Sequence, residues 1–173
     1  MESKTVAEAL LSSGFTEVLP GTTGPTGVQN RTGLMPRIFI NNSRDRVAKI
    51  ASDGAYAVFV DWARRNPSVT VPKCYCHRER GKRDAYGYWT YMRMERLFEL
   101  TTSEASGVES WFKEFVDSRG QTAHDPFRLL STLKSLWQLA IASSYGVEVT
   151  KSSNVMVRVC GNARQFVFSD MLN

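Results

Sequence analysis

Four consecutive residues, Cys74-Tyr75-Cys76-His77, carry the softest potential ligands of this chain. Thiolates and an imidazole suit zinc, but a closed site needs a second pair at proper spacing, and only Cys160 and His124 remain. On an extended strand Cys74 and Cys76 fall on one face, where small apolar side chains serve a core. Directly afterwards Arg78, Arg80, Lys82 and Arg83 crowd a turn beside Tyr86, Tyr88 and Trp89. Cations interleaved with aromatic rings can grip nucleic acid or an acidic protein surface, although the ordinary fate of such a turn is solvation. The two histidines, His77 and His124, sit in no context that suggests a Ser-His-Asp arrangement. Lys49 and Asp170, taken singly, are a solvated strand lysine and a turn cap.

Elements must position these residues, and the pattern of apolar positions supplies them. Residues 5–13, with Val6, Ala9, Leu10 and Leu11 ahead of Gly14, predict a short helix. A stretch rich in glycine, proline and threonine follows to about Gly33, too long and too polar to pack a core. Residues 37–40 and 46–51 predict a hairpin across Asn41-Asn42-Ser43-Arg44-Asp45. Residues 54–66 predict a helix with Ala55, Val58, Phe59 and Trp62 on one face, stopped by Pro67. An extended segment over 69–79 and alternation over 88–94 predict a second hairpin. The first hundred residues thus run strand, strand, helix, strand, strand. Residues 107–119 predict the next helix. Asp125-Pro126 looks like a cap and first helical residue, opening a long helix from Phe127 to about Tyr145 with Leu130, Leu133 and Trp137 inward. A third hairpin, 154–159 and 165–170 across Gly161-Asn162, closes the chain.

Composition sets the frame. The chain has 173 residues, of which 42% are hydrophobic and 23% charged, enough for one domain with a real core. A net charge of +5 with acids interspersed is too mild to imply nucleic acid by itself. Three cysteines argue against a disulfide framework. No apolar run approaches the roughly 18 residues of a spanning helix. The opening Met1-Glu2-Ser3-Lys4 leads into no signal-peptide core, so the expectation is a soluble intracellular protein without a membrane partner.

Val47-Ala48-Lys49-Ile50 lies on the second strand of a hairpin directly before a helix. Tyr91-Met92-Arg93-Met94-Glu95-Arg96-Leu97 ends a later strand where a hinge would fall. Asn154-Val155-Met156-Val157-Arg158 follows a long helix, and Phe166-Val167-Phe168-Ser169-Asp170 forms the next strand. In this order, over about residues 30–173, the chain resembles the protein-kinase-like fold, and in particular the small divergent kinase-like proteins of lytic bacteriophages. The resemblance implies an α+β, truncated kinase-like fold: an antiparallel sheet with one packed helix, a small helical lobe and a terminal hairpin. It sets 1–33 apart as a helix and loop, and makes 34–173 one domain with a sheet lobe over about 34–100 and a helical lobe over about 101–173. It implies ATP with magnesium, Lys49 on the phosphates, Gly33 near them, and Asn154 and Asp170 on the metal. No acid clearly matches the helix partner of that lysine; Asp53 and Asp61 are the acids nearby.

Two departures redirect the functional expectation. The family's catalytic base stands five residues before the magnesium asparagine, and here that residue is Val149. Glu148, its neighbour, could substitute only if the loop shifts by one residue, and Lys151 could still neutralise a phosphate. Asn173 also follows just after Asp170, so the expectation is a kinase scaffold without the activation segment and lower lobe of an ordinary kinase. The expectation is therefore a phage-encoded, catalytically impaired kinase-like protein of the host cytoplasm that binds and modulates a host protein, with Arg78, Arg80, Lys82, Arg83, Tyr86 and Trp89 making contact. The alternatives are an active ATP-dependent kinase using Glu148 and a nucleic-acid-binding module using the same basic turn.

Overall fold

A computed structural model of the chain describes residues 3–18, 36–80 and 89–173, with side chains over 6–18, 36–77 and 89–173. The glycine- and proline-rich stretch with Gly33, together with Lys82, Arg83 and Tyr86 and the side chains of Arg78 and Arg80, lies outside what is described. The architecture is α+β, and the chain divides into two compact units: residues 1–65 with 73–96, and residues 66–72 with 97–173. Residues 66–72 belong to the second unit, and the sheet unit ends at Arg96. The first helix belongs to the sheet unit rather than to a separate leader segment.

The first unit runs α1 (Ser3–Ser12), β1 (Phe15–Val18), β2 (Arg37–Asn41), β3 (Arg46–Ala51), α2 (Gly54–Arg65), β4 (Cys74–Arg80) and β5 (Trp89–Glu95). Its sheet has the order β1-β2-β3-β5-β4, with every neighbouring pair antiparallel. The β2–β3 turn is built from its own polar side chains. The Asn41 amide donates to Ser43 and Asp45, and the Arg46 N–H donates to Asn41 Oδ1 at 2.9 Å. Asp53 begins α2 by accepting the Ala55 N–H at 2.9 Å. Alternation along the strands then feeds two apolar layers. Phe39, Ala48, Ile50, Trp89 and Tyr91 join Val6, Leu10 and Phe15 in one cluster, and Tyr56, Phe59 and Val60 of α2 are buried. Strand β1 escapes the sequence pattern because four residues, with only Phe15 buried, show little alternation. The extended segment predicted over 69–79 begins instead at Cys74, since residues 69–71 form a turn.

The second unit contains α3 (Thr102–Asp117), α4 (Leu130–Ser143) and the antiparallel hairpin β6 (Val155–Cys160) and β7 (Ala163–Phe168). Gly161 takes φ +61° in the hairpin turn, a conformation that costs a side chain dearly and glycine little. Helix α3 starts earlier than its apolar spacing suggests, because Thr101 and Glu104 form a reciprocal capping box. Helix α4 starts later than Asp125-Pro126 suggests. Asp125 does accept an amide, that of Leu129 at 2.7 Å, but Arg128 at φ 59° breaks the helical path between them. The core of this unit includes Trp111, Phe112, Leu133, Leu136 and Phe168, whereas Trp137, expected inside, is 40% exposed. Residues 66–72 are tied in from a distance. Arg158 donates to the Val69 carbonyl at 2.6 Å and the Val71 carbonyl at 3.0 Å, and the Phe168 N–H donates to Thr70 O at 3.0 Å. No helix among the described residues is long and apolar enough to cross a membrane.

Candidate functional site

The residues singled out for nucleotide chemistry divide between the units. Lys49 is on β3 of the first unit, paired with Ile38 of β2 and Met92 of β5. Its ammonium lies 3.6 Å from the centroid of the Tyr56 ring, an aromatic partner on α2 where an acid was sought. Asp53 is occupied as the cap of α2, and Asp61 Oδ1 lies 3.1 Å from His77 Nδ1.

Asn154, Asp170 and Glu148 come together in the second unit. After α4, Ser144 in the left-handed conformation (φ 59°) redirects the chain into residues 146–148. These pair with 171–173: Gly146 N–H donates to Asn173 O at 2.8 Å, the reverse bond is 3.1 Å, and Glu148 N–H donates to Met171 O at 2.9 Å. A side chain at residue 146 would meet the Asn173 amide oxygen at 2.5 Å and oblige that side chain to swing aside, while the Asn173 backbone carbonyl stays at an ordinary 3.7 Å. A single 3-10 turn, Ser152–Asn154, then delivers the chain into β6. At the open end of the hairpin the Asn154 carbonyl accepts both the Ser169 N–H (2.8 Å) and the Ser169 hydroxyl (3.1 Å). Asp170 follows at once, half-buried, just past the end of β7 rather than within a strand.

Glu148 ties this corner together. Its carboxylate accepts from Asn154 Nδ2 at 3.1 Å and pairs with the Lys151 ammonium. Burial opposes its ionisation, but the hydrogen bonds from Lys151 and Asn154 and the lysine charge outweigh it, holding the carboxyl below the ordinary glutamate range. A carboxylate so stabilised is a weak proton acceptor. Val149 is 9% exposed, and an apolar side chain can neither accept a proton nor orient a hydroxyl.

Asn154 and Asp170 offer hard oxygen donors of the kind magnesium takes. The set fits an ion that arrives with phosphate oxygens and is too small for a protein-only cage. Among the described residues no group of three or more His, Cys, Asp or Glu could hold a metal.

The remaining candidates belong to different units. Cys74 and Cys76 lie in the first unit and Cys160 and His124 in the second. Burial pushes the Cys74 thiol up to about 11, leaving it inert, and its sulfur lies 3.4 Å from Met92 Sδ. Trp89, expected on a contact surface, is 9% exposed and belongs to the α1-side cluster, so its ring serves the core. One arrangement had no sequence signal. His77 Nδ1 faces Asp61, and His77 Nε2 lies 2.9 Å from Thr90 Oγ1, a carboxylate–imidazole–hydroxyl line assembled from α2, β4 and β5. Thr90 is completely buried, out of reach of any substrate, so the line ties elements together rather than attacking a bond.

Comparison of the chain with protein-family models, with curated proteins and with solved structures finds no match in any of the three.

Proposed function

We propose that this chain is a kinase-like protein of the bacteriophage type that has lost efficient phosphotransfer and acts by binding and modulating a host protein. The order of elements supports the kinase-like part. An antiparallel sheet with one helix between its third and fourth strands is followed by helices, and then by a hairpin that begins just after Asn154 and ends just before Asp170. In this reading Lys49 faces nucleotide phosphates, and Asn154 with Asp170 meets magnesium. The bound ATP would supply a transferable phosphoryl group.

The observation that carries the loss of catalysis is the corner at 148–154. The position of the base is an apolar Val149, and the one neighbouring carboxylate, Glu148, is held ionised by Lys151 and Asn154. A positioned base contributes about 10²–10⁴-fold in rate, and neither residue supplies that here.

Incubation of the full chain with magnesium and γ-labelled ATP, alone and with bacterial lysate, is expected to give no label above a Lys49→Ala/Asp170→Ala control. Capture of the host partner is expected to survive in that same folded control. Label transfer abolished by Glu148→Gln would overturn the proposal and identify an active kinase with a displaced base.

A further inference from the structure

We propose that the groove between the end of α3 and the outer face of α4 docks a protein segment presenting an apolar or aromatic side chain flanked by carboxylates. The groove encloses about 660 Å³, with Phe115 and Val116 on one wall and Trp137 on the other. Helical spacing put Trp137 on the inward stripe of α4, yet it is 40% exposed, Ile141 one turn further is 65% exposed, and Val116 on α3 is 48% exposed. Residues four apart on a helix are neighbours, so Trp137 and Ile141 form one apolar stripe that runs on past the groove, longer than a compact small ligand would need. The indole is already ordered, its ring edge-on to Phe115 at 5.8 Å, so a partner meets a surface whose entropy of fixation is spent.

Charge selects the partner. The charged residues lining the groove are Arg119 and Lys134, with no acid among the lining. Among the described residues no carboxylate pairs with either, whereas Arg164 is bonded to Glu104 and Lys151 to Glu148. Arg119 holds φ 53° and Gly120 φ 77°, two successive left-handed residues that turn the chain sharply off α3 with Arg119 at the rim. Two unsatisfied cations beside a preordered aromatic wall favour an acidic, apolar-centred segment and penalise a basic one.

This inference rests on the view that the chain works by contact, and the two fail separately: phosphotransfer would overturn the earlier proposal and leave the groove's affinity measurable. The test is selection of a displayed random 12-residue peptide library on the immobilised full chain, counter-selected on a Trp137→Ser/Lys134→Glu variant shown by thermal melting to be folded. Enriched peptides are expected to carry Asp or Glu on both sides of Leu, Phe or Trp. The best of them, made synthetically, should lose about tenfold in affinity with Arg119→Glu or Lys134→Glu and at least as much with Trp137→Ser. No enrichment over the counter-target, or enrichment of peptides without acids, overturns the proposal. So does a concentration-dependent dimer that Trp137→Ser abolishes, because the groove's occupant would then be a second copy of this chain.

Discussion

His77 and Glu148 each stand at the centre of three linked polar side chains, one in either unit, and the two trios are built from similar chemistry. In the first, Asp61, His77 and Thr90 meet where the His77 side chain is 5% exposed and Thr90 is sealed. In the second, Lys151, Glu148 and Asn154 meet where the lysine side chain is 60% exposed and the glutamate 19%. Asp61, 36% exposed, keeps its access to water, but the His77–Thr90 bond replaces water that cannot return, so its loss costs the full desolvation of the group left behind. In the open trio water can take the place of any member. Geometry alone would call the His77 line the more enzyme-like; burial reverses that, and makes the open corner the one a ligand can reach.

The contrast predicts a ranking of effects. Arg158, 7% exposed, extends the sealed class to the second unit, and Arg158→Met should cost about 3–5 kcal/mol, because the Val69 and Val71 carbonyls lose a charged donor. Denaturant unfolding measures this, and a loss below that of the open trio would break the contrast. Thr90→Val keeps the shape and deletes the hydroxyl facing His77, with an expected cost of about 1–3 kcal/mol by the same assay. Glu148→Gln removes a pair whose lysine is in solvent and should cost under about 1 kcal/mol, while the Asn154 contact can persist to an amide oxygen. The smallest expected effect is a pH dependence. Arg164 hydrogen bonds, with the Thr101 cap adding to them, lower the Glu104 carboxyl to about 2. A depressed folded value means the contribution is complete above the unfolded glutamate value near 4.5 and is lost as pH falls from there through about 2. Thermal melting across this window should show a slope that Arg164→Gln flattens, and an unchanged slope would remove the pair from the stability of α3.

Much of the fold was legible because it is written in short-range pattern: the hairpins around Asn41–Asp45 and Gly161-Asn162, and the extent of α2, although its buried face runs through Tyr56, Phe59, Val60 and Ala63 rather than through Val58 and Trp62. What escaped depends on chain segments far apart. Nothing near Phe15 announces a strand. The capping box at Thr101 and Glu104, by contrast, is a local Thr-x-x-Glu signal that extends α3 beyond its apolar stripe. Trp137 sits on a regular stripe, but the stripe is wider than the core it meets. Of the candidate site, Asn154, Glu148 and Asp170 were picked out by the kinase-like resemblance rather than by any pattern of their own, and the structure joins Asn154 to Glu148 directly. The ring of Tyr56 beside Lys49 was not anticipated, because a cation–π contact leaves no charge pattern in sequence. Asp61 and His77 meet through α2 and β4 packing, which no local spacing encodes.

Residues 66–72 leave the sheet unit after α2 and return to it at Lys73, and this detour has a consequence for synthesis. The partners of Val69 and Val71 lie 89 and 87 residues downstream, on Arg158. During translation every strand of the first sheet has emerged once β5 is made, while the interposed segment must wait for nearly the whole remaining chain. A nick between residues 96 and 97 would therefore yield no self-sufficient half: the first fragment would carry a loop without its anchor, and the second would lack a piece of its own interior. Late closure of so long a loop is entropically expensive and makes a natural slow step in folding, which a chaperone or a truncated messenger would expose first.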